Sequence, residues 1–517
     1  MFKSSKIAIV ALTTIFCSCS KDVVFDEEAS LDSYAKSVNS KSENFNVNFK
    51  LRTSIPINGG GDAKSEISAY DKKTGKLFIV NPDDDEISVL NISDLNSINQ
   101  ESSIQLNSGS PNSAAVSKGK LAVAVQADTK QDPGSIMVYD TDTHVLLNSY
   151  VVGALPDMVT FSPNGQYIVS ANEGEPDDDY LNDPEGTISV IDLEANTVST
   201  LNFNAFNSME AELESDGFRV FGPNANLSQD VEPEYVAISS DSEYAWVTLQ
   251  ENNGVAKVNL LTKTIEAIYP LGFKDYSLPG NEIDPSDKDG KKELNSWPAF
   301  GMFQPDAIDY VKIGGVDYLI TANEGDARDY DGFSEEERAD DLLLDETVFP
   351  NYVELQKDEN LGRLKVTTTL GDTDNDGDYD EIYNYGARSF TIWTGNGEMV
   401  FDSGNDIAQR TLDLTPEWFN GDDGRSDDKG AEPESIEILK IQGNKFILFV
   451  GLERNNQVLV YDISNPTAPE FLYILSRDGD IGPEGLLAIS DKDSPTGNDL
   501  LIVSNEVSGT VSIYENK

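Results

Sequence analysis

Seven times along this chain a unit of short apolar strands recurs, bounded by turns rich in Gly, Asn and Asp. In the clearest copy the strands read 233–238 (PEYVAI), 244–251 (YAWVTLQE) and 254–259 (GVAKVN). Units of about 40 residues built in this way are the pattern of β-propeller blades, which bury their faces only by stacking on one another. The other copies begin near Glu66, Pro111, Pro156, Pro305, Pro433 and Pro483. Most copies add a fourth strand, but the last ends at Lys517 without one, while an orphan run at 45–51 (FNVNFKL) precedes the first. A closed array must hide its open edges, so residues 45–55 are expected to complete the last blade. The expected fold is all-β: a seven-bladed β-propeller over 45–517 with long loop insertions, its last blade closed by the N-terminal strand. An open β-array or two smaller propellers is the competing arrangement.

Insertions at 201–232, 272–303, 326–388 and 403–431 interrupt the repeat with polar, Gly- and Asp-rich sequence. Long loops in a compact domain are usually functional. Those at 174–185 and 326–388 each follow an Asn-Glu pair that ends a second strand, so both are expected over one face. The acidic run 334–341 is expected to form a short helix.

Charge removes whole classes of partner. With 37 basic and 92 acidic residues the net charge is −55. Such a surface repels nucleic acid and anionic membrane and favours cations. The chain has two cysteines, Cys17 and Cys19, beside the apolar run 7–12 that follows Lys3 and Lys6. A basic start, a short apolar run and small residues make a secretory signal over 1–18; a membrane-spanning helix needs about 20 apolar residues. Phe16-Cys17-Ser18-Cys19 resembles a bacterial lipoprotein cleavage box with Cys19 as the lipidated residue. Ser20-Lys21-Asp22 resembles the surface-export tag of Bacteroidetes-type lipoproteins, with Val23 in place of the usual second acid. Residues 19–44 then read as a flexible tether. The expected location is the outer membrane of a Gram-negative bacterium, facing the cell surface, as a monomer whose lipid is its one membrane contact.

In an antiparallel blade the start of the first strand and the end of the second lie at the same end. Acids stand at the first position in Glu66, Asp157, Glu234, Asp306, Glu434 and Glu484, with Asn112 the exception. They stand at the second in Glu173, Glu251, Glu324, Glu453 and Glu506. Closure would gather these eleven carboxylates on one face, where like charges oppose folding. The remedies are a bound cation or interleaved bases, for which Arg219, Lys257, Arg328, Arg425, Lys429 and Arg454 are the candidates. Oxygen ligands without His or Cys suit calcium or magnesium over zinc. The bland reading is a turn ladder in which each carboxylate caps backbone amides of the next blade.

A sharper motif lies in the 326–388 insertion. Asp372, Asp374, Asp376 and Asp378, with Gly377 at the tight turn, match the front half of a calcium loop. Tyr383 stands where a bidentate Glu belongs, so Asp380 or Glu381 must supply the missing ligand. Asp284, Asp287 and Asp289 before Gly290 form a weaker match. His144, the single histidine, falls in an inter-strand turn, and with no usable thiol the Ser-His-Asp and Cys-His mechanisms are excluded in ordinary form. An enzyme here would depend on carboxylates or on water bound to a carboxylate-held metal.

Several motifs together carry a family resemblance. They are Leu155-Pro156-Asp157 with Ala171-Asn172-Glu173-Gly174, Asp230-Val231-Glu232-Pro233-Glu234, Ala322-Asn323-Glu324-Gly325-Asp326-Ala327-Arg328, Lys429-Gly430-Ala431-Glu432-Pro433-Glu434 and Asn505-Glu506-Val507. Over residues 45–516 the chain resembles the choice-of-anchor I family, which includes mesenchyme-specific cell-surface glycoproteins linked to biomineralisation. The resemblance implies a secreted or surface-anchored propeller whose anchor varies between members; it supplies no catalytic set. The function expected is a calcium-binding surface lipoprotein that engages a small-molecule, glycan or protein ligand through its acidic face, including Arg328. The alternative is a calcium-dependent phosphoesterase resembling β-propeller phytases or alkaline phosphatases, with Arg328, Arg425, Lys429 and Arg454 meeting phosphate.

Overall fold

The computed structural model describes residues 47–517; the expected signal sequence, Cys19 and the expected 19–44 tether lie outside them. The repeat builds seven antiparallel sheets, numbered 1 to 7 by their first strands Ser68–Asp71, Pro111–Ser117, Pro156–Phe161, Val236–Ile238, Ile308–Ile313, Pro433–Ile441 and Pro483–Ile489; sheets 2 to 7 have four strands, and all but sheet 7 keep them in chain order. Sheet 3 is representative: Pro156–Phe161, Tyr167–Asn172, Thr187–Asp192 and Thr197–Leu201. Its second and third strands are buried at every residue, whereas its fourth is mostly open to solvent. A strand covered on both faces reads as a continuous apolar run, and one with a free face alternates. In sheet 1 the fourth place is divided between Asn99–Gln100 and Ile104–Gln105.

Each sheet shares a hydrophobic cluster with the next. Phe78 of sheet 1 packs with Val123 of sheet 2, Ala122 of sheet 2 with Ile168 of sheet 3, and Val169 of sheet 3 with Val247 of sheet 4. Trp246 continues to Leu319 of sheet 5, Ile392 to Leu448 of sheet 6, and Phe449 to Val503 of sheet 7. Ile502 and Ile513 of sheet 7 return to Leu77 and Ile79 of sheet 1.

The seventh sheet takes its fourth strand from the other end of the chain, as the orphan run foretold. Phe49–Pro56 pairs antiparallel with Thr510–Asn516, Phe49 opposite Asn516 and Pro56 opposite Thr510. The Phe49 ring meets Phe449 edge-on at 5.1 Å; burying such a side chain stabilises by about 1.5–3 kcal/mol.

Two insertions are more ordered than their polar composition suggests. Residues 272–303 and 326–388 together form a five-stranded sheet in the order Phe273–Asp275, Phe300–Met302, Tyr383–Asn384, Lys365–Thr367, Glu336–Arg338. It has its own core, with Tyr276, Leu344, Phe349, Leu364 and Ile382 buried together. The helix expected at 334–341 does not form. Glu336–Arg338 is a strand on Lys365–Thr367, Glu335 is buried against Arg219, and Glu336 pairs with Lys365 at 2.8 Å. Tertiary pairing of these acids outweighs a helix preference worth only tenths of a kcal/mol per residue, on the order of 0.5. Helix enters the insertions elsewhere, most fully at Asp406–Leu414.

Candidate functional site

In sheets 3 and 5 an asparagine and a glycine place the carboxylate that ends the second strand. Asn172 donates to the Thr187 carbonyl (3.0 Å) and Ser189 Oγ (3.0 Å), and Asn323 to Ser389 Oγ (3.1 Å) and Thr391 Oγ1 (2.7 Å). Each buried amide thereby ties the second strand to the third just before the following Glu. Gly174 and Gly325 then turn the chain away at φ +77° and +86°. A Cβ on Gly325 would lie 2.0 Å from the Gly386 nitrogen, so no other residue fits. Asn172 and Asn323 are positioning residues, legible beforehand as the repeated Asn-Glu pair.

The carboxylates converge as trios, each with oxygens mutually within 4.8 Å. Glu173 of sheet 3 meets Glu234 and Glu251 of sheet 4; Glu324 of sheet 5 meets Glu432 and Glu453 at sheet 6; Glu484 and Glu506 of sheet 7 meet Glu66 of sheet 1. The trios thus bridge sheets 3 and 4, 5 and 6, and 7 and 1. Sheet 2 is left out, and it carries Asn112 and Gln126 at the two acid positions. Asp157, Asp306 and Glu434 belong to no trio, yet their charges reach the others: Asp306 feels Glu324 and Asp157, and Glu434 feels Glu324, Glu484 and Glu453. Burial first, then these neighbours, push Glu173, Glu234, Asp306, Glu434 and Glu484 well above the usual carboxylate range. No side-chain cap of the next sheet's amides is found for these five among the described residues, against the turn-ladder reading.

The trios differ in what offsets their charge. Lys429 Nζ lies 2.6 Å from Glu324, Arg425 lies 2.6 Å from Glu432, and Arg454 bridges Glu432 (3.0 Å) and Glu453 (2.6 Å). Burial alone would raise Glu432, but Lys429, Arg425 and Arg454 hold it below its ordinary value. In the Glu173–Glu234–Glu251 trio no member makes a salt bridge among the described residues, and one oxygen each of Glu234 and Glu251 is buried without a partner. Sequence reasoning missed Glu432 and Glu232, whose signal is an acid immediately before the Pro-Glu mark.

The candidate bases are placed otherwise than expected. Arg328 is 1% exposed, clamped to Asp230 (2.6 Å) and Glu232 (2.9 Å) and lying 4.5 Å above the Phe221 ring. It is an internal strut joining the 201–232 and 326–388 insertions, and its guanidinium does not face a ligand. Arg219 is likewise buried on Glu335. Lys257 is on another surface, over the Tyr244 ring at 4.7 Å. His144 lies in its predicted turn, 3.0 Å from Lys76.

Above the trio of sheets 3 and 4, the 174–185 and 326–388 insertions touch, as expected of segments sharing a face. The Gly332 amide donates to the Asp178 carbonyl (2.8 Å), and the Tyr180 ring stands edge-on to Tyr330 (5.7 Å) and Phe333 (5.6 Å).

The aspartate loop makes two overlapping trios. Asp372, Asp374 and Asp380 form one and Asp345, Asp378 and Asp380 the other, each with oxygens within 4.8 Å. Asp372 accepts the Asp376 and Gly377 amides (both 3.1 Å) in a turn closed by Gly377 at φ +100°. Asp380 is common to both trios, and its Oδ2 also accepts the Thr373 amide (3.0 Å) and hydroxyl. Glu381 does not join, because its carboxylate is held by the Tyr383 hydroxyl at 2.6 Å, and Asp376 stands outside both trios with an oxygen on the Asp378 amide at 3.3 Å. Asp345 was not foreseen; it arrives because Leu343 and Asp345 bond across to Tyr379 (2.7 and 3.1 Å). Desolvation, then Asp376, push Asp378 up to about 6. The weaker motif does not assemble: Asp284 accepts the Glu293 amide (3.0 Å) and Asp287 pairs with Arg363 (3.2 Å).

The choice-of-anchor I domain model matches residues 66–466. The chain belongs to the choice-of-anchor I family. Among relatives, Gigasin-3a of Magallana gigas is 33% identical over 189 residues, covering 31% of this chain and 66% of the relative. Mesenchyme-specific cell surface glycoprotein of Strongylocentrotus purpuratus is 26% identical over 374 residues, covering 62% of this chain and 46% of the relative. The chain spans less than two thirds of either. Among solved structures it is similar to Kuenenia stuttgartiensis hydrazine synthase with a TM-score of 0.47 at 11% identity, over 88% of this chain and 96% of that one. At that score the likeness carries no functional information. For this choice-of-anchor I domain the carboxylate face and the aspartate loop are therefore the sources of a functional reading.

Proposed function

We propose that this choice-of-anchor I chain is a calcium-binding, surface-associated seven-bladed β-propeller that engages a ligand or partner through its acidic face. The propeller reading is supported by the seven sheets and by the shared clusters that run from each to the next and from the seventh back to the first. Surface association is supported by family membership and by the name of the sea-urchin relative. Lipid on Cys19, and with it the outer membrane, is the anchor the sequence favours.

The observation that carries calcium is the pair of aspartate trios sharing Asp380. Hard carboxylate oxygens around a glycine turn, without His or Cys, are calcium chemistry, with metal–oxygen distances of about 2.3–2.6 Å. In this reading Asp345, Asp372, Asp374, Asp378 and Asp380 are the ligands. A small molecule, glycan or protein is the ligand class of the acidic face.

The phosphoesterase alternative needs bases free to meet phosphate, and Arg328, Arg425, Lys429 and Arg454 are all engaged by acids. No observation favours it over binding.

Calcium titration by calorimetry, with melting in calcium and in chelator, tests the proposal. The wild-type chain is expected to bind calcium and melt higher; at a hundredfold excess over Kd the gain is about 2.7 kcal/mol. Asp372→Asn with Asp380→Asn is expected to remove the loop ion. An unchanged titration in that variant would sink the loop assignment, and chelator-sensitive turnover of phosphate esters would sink the binding reading.

A further inference from the structure

We infer that Glu173, Glu234 and Glu251 form a second divalent-cation site, in the cleft between sheets 3 and 4 and separate from the aspartate loop. Calcium is the cation class that fits. The inference deepens the reading of the acidic face and does not depend on the loop.

Proximity of acids alone would not make a site, but three observations converge on this trio. First, its oxygens lie within 4.8 Å of one another, a span that one ion with ligands at about 2.3–2.6 Å can bridge. Second, Glu234 and Glu251 are each 6% exposed, and one oxygen of each has no hydrogen-bond partner among the described residues. A buried acceptor without a donor is costly, and far more so as an anion. Third, the structure already contains the other solution to the same problem. Around Glu324, Glu432 and Glu453 the fold inserts Lys429, Arg425 and Arg454. Between sheets 3 and 4 the nearby bases are spent elsewhere: Arg328 on Asp230 and Glu232, Lys130 on Glu175 (3.3 Å), and Arg219 on Glu335 and the Glu251 carbonyl. Where the chain's own cations pair with the trio, no oxygen of it is buried without a partner among the described residues; where they pair elsewhere, a cation from solution would complete it.

The surroundings suit an ion with ligand positions to spare. Tyr180 and Tyr330, from the two insertions that meet over this face, stand edge-on at 5.7 Å. Three carboxylates fill about half of the six to eight positions calcium takes. The rest would be taken by water or by oxygens of a bound ligand.

The test uses the full chain carrying Asp372→Asn, Asp374→Asn and Asp380→Asn, so that the loop is silent. Calcium calorimetry on this background is expected to detect one remaining ion. Terbium is expected to give tyrosine-sensitised luminescence that excess calcium displaces. Adding Glu251→Gln, or separately Glu234→Gln, is expected to weaken that ion at least tenfold, while Glu470→Gln, exposed on the strand Glu470–Leu475, leaves it unchanged. Folding is controlled by melting in chelator: removing a repelling anion is expected to leave the midpoint equal or higher, whereas a merely structural role would lower it. The inference is overturned if the loop-silent chain binds no calcium although wild type does, which leaves the loop proposal standing. It is also overturned if both Gln variants keep the ion, or lose it together with a lowered midpoint in chelator. Absence of calcium binding in wild type overturns both readings.

Discussion

Two regions of this molecule each gather three glutamates and differ in the bases they bring to them. Between sheets 5 and 6 the trio is threaded with Lys429, Arg425 and Arg454, and Glu432 is held ionised below its ordinary pKa. Between sheets 3 and 4 the trio has no ion pair, and burial followed by Glu251 and Glu173 drives Glu234 well above it. The difference teaches that the repeated acid has no fixed role. Whether it is a structural ion pair or an open binding site depends on which bases the insertions deliver.

The strongest way to break the comparison is to remove the internal cation. Lys429→Met strands Glu324 beside Glu432, and loss of one partner from a buried pair costs about 3–5 kcal/mol. A chemical denaturation in chelator is expected to show that loss, and calcium is expected to restore part of it only in this variant. Absence of any calcium rescue would mean that compensation by a base and by a metal are not interchangeable here.

Asn172→Ala attacks the other cleft without touching a carboxylate. It removes the amide that holds Glu173 against the third strand; a lost buried hydrogen-bonding group costs about 1–3 kcal/mol. Calcium affinity in the loop-silent background is expected to fall along with stability, while wild-type affinity there would dissociate positioning from binding.

Dependence on pH sharpens the contrast next. Glu66 is pushed up to about 8 by burial and then by Glu506, Asp157 and Asp62, and Asp157 up to about 7 by burial and then Glu175. Between their ordinary values near 4.5 and 3.8 and these raised ones, the folded chain holds more protons than the unfolded chain. Stability therefore falls as pH rises through that window. In chelator the melting midpoint is expected to climb as pH drops from about 8 towards about 5, by on the order of 1 kcal/mol per raised group, and calcium is expected to flatten the slope. A midpoint that falls steadily over that range would count against uncompensated acids.

The smallest effect is expected at Lys257, the candidate base that lies over Tyr244 away from both clefts. Lys257→Ala is expected to shift stability by no more than about 0.5 kcal/mol and to leave calcium stoichiometry unchanged. Any change in ion number would place it closer to the face than its geometry allows.

Much of this was open to reading along the chain. The strands of sheet 5 at Val316–Asn323 and Ser389–Thr394 are recognisable across an insertion of more than sixty residues, because β-branched runs ending in Asn-Glu repeat elsewhere. The same pattern located Glu173, Glu324 and Glu506, and Gln250-Glu251 at the end of a like run located Glu251. The 334–341 run misled, since Glu-rich sequence favours helix only until Arg219 and Lys365 claim its side chains. Asp345 escaped because it joins the aspartate loop across the Leu343–Tyr379 pairing and belongs to no motif.

The sequence by itself determined the repeat, the strand that returns from the N-terminal side to close sheet 7, and the set of carboxylates at the ends of the strands. Periodicity and turn chemistry are local, and each copy states them again. Tertiary structure alone decided which acids meet and which are answered. Lys429 reaches Glu324 from 105 residues away, and Arg328 is drawn inward to Asp230 from 98. Electrostatic compensation depends on such distances, and no local pattern encodes them.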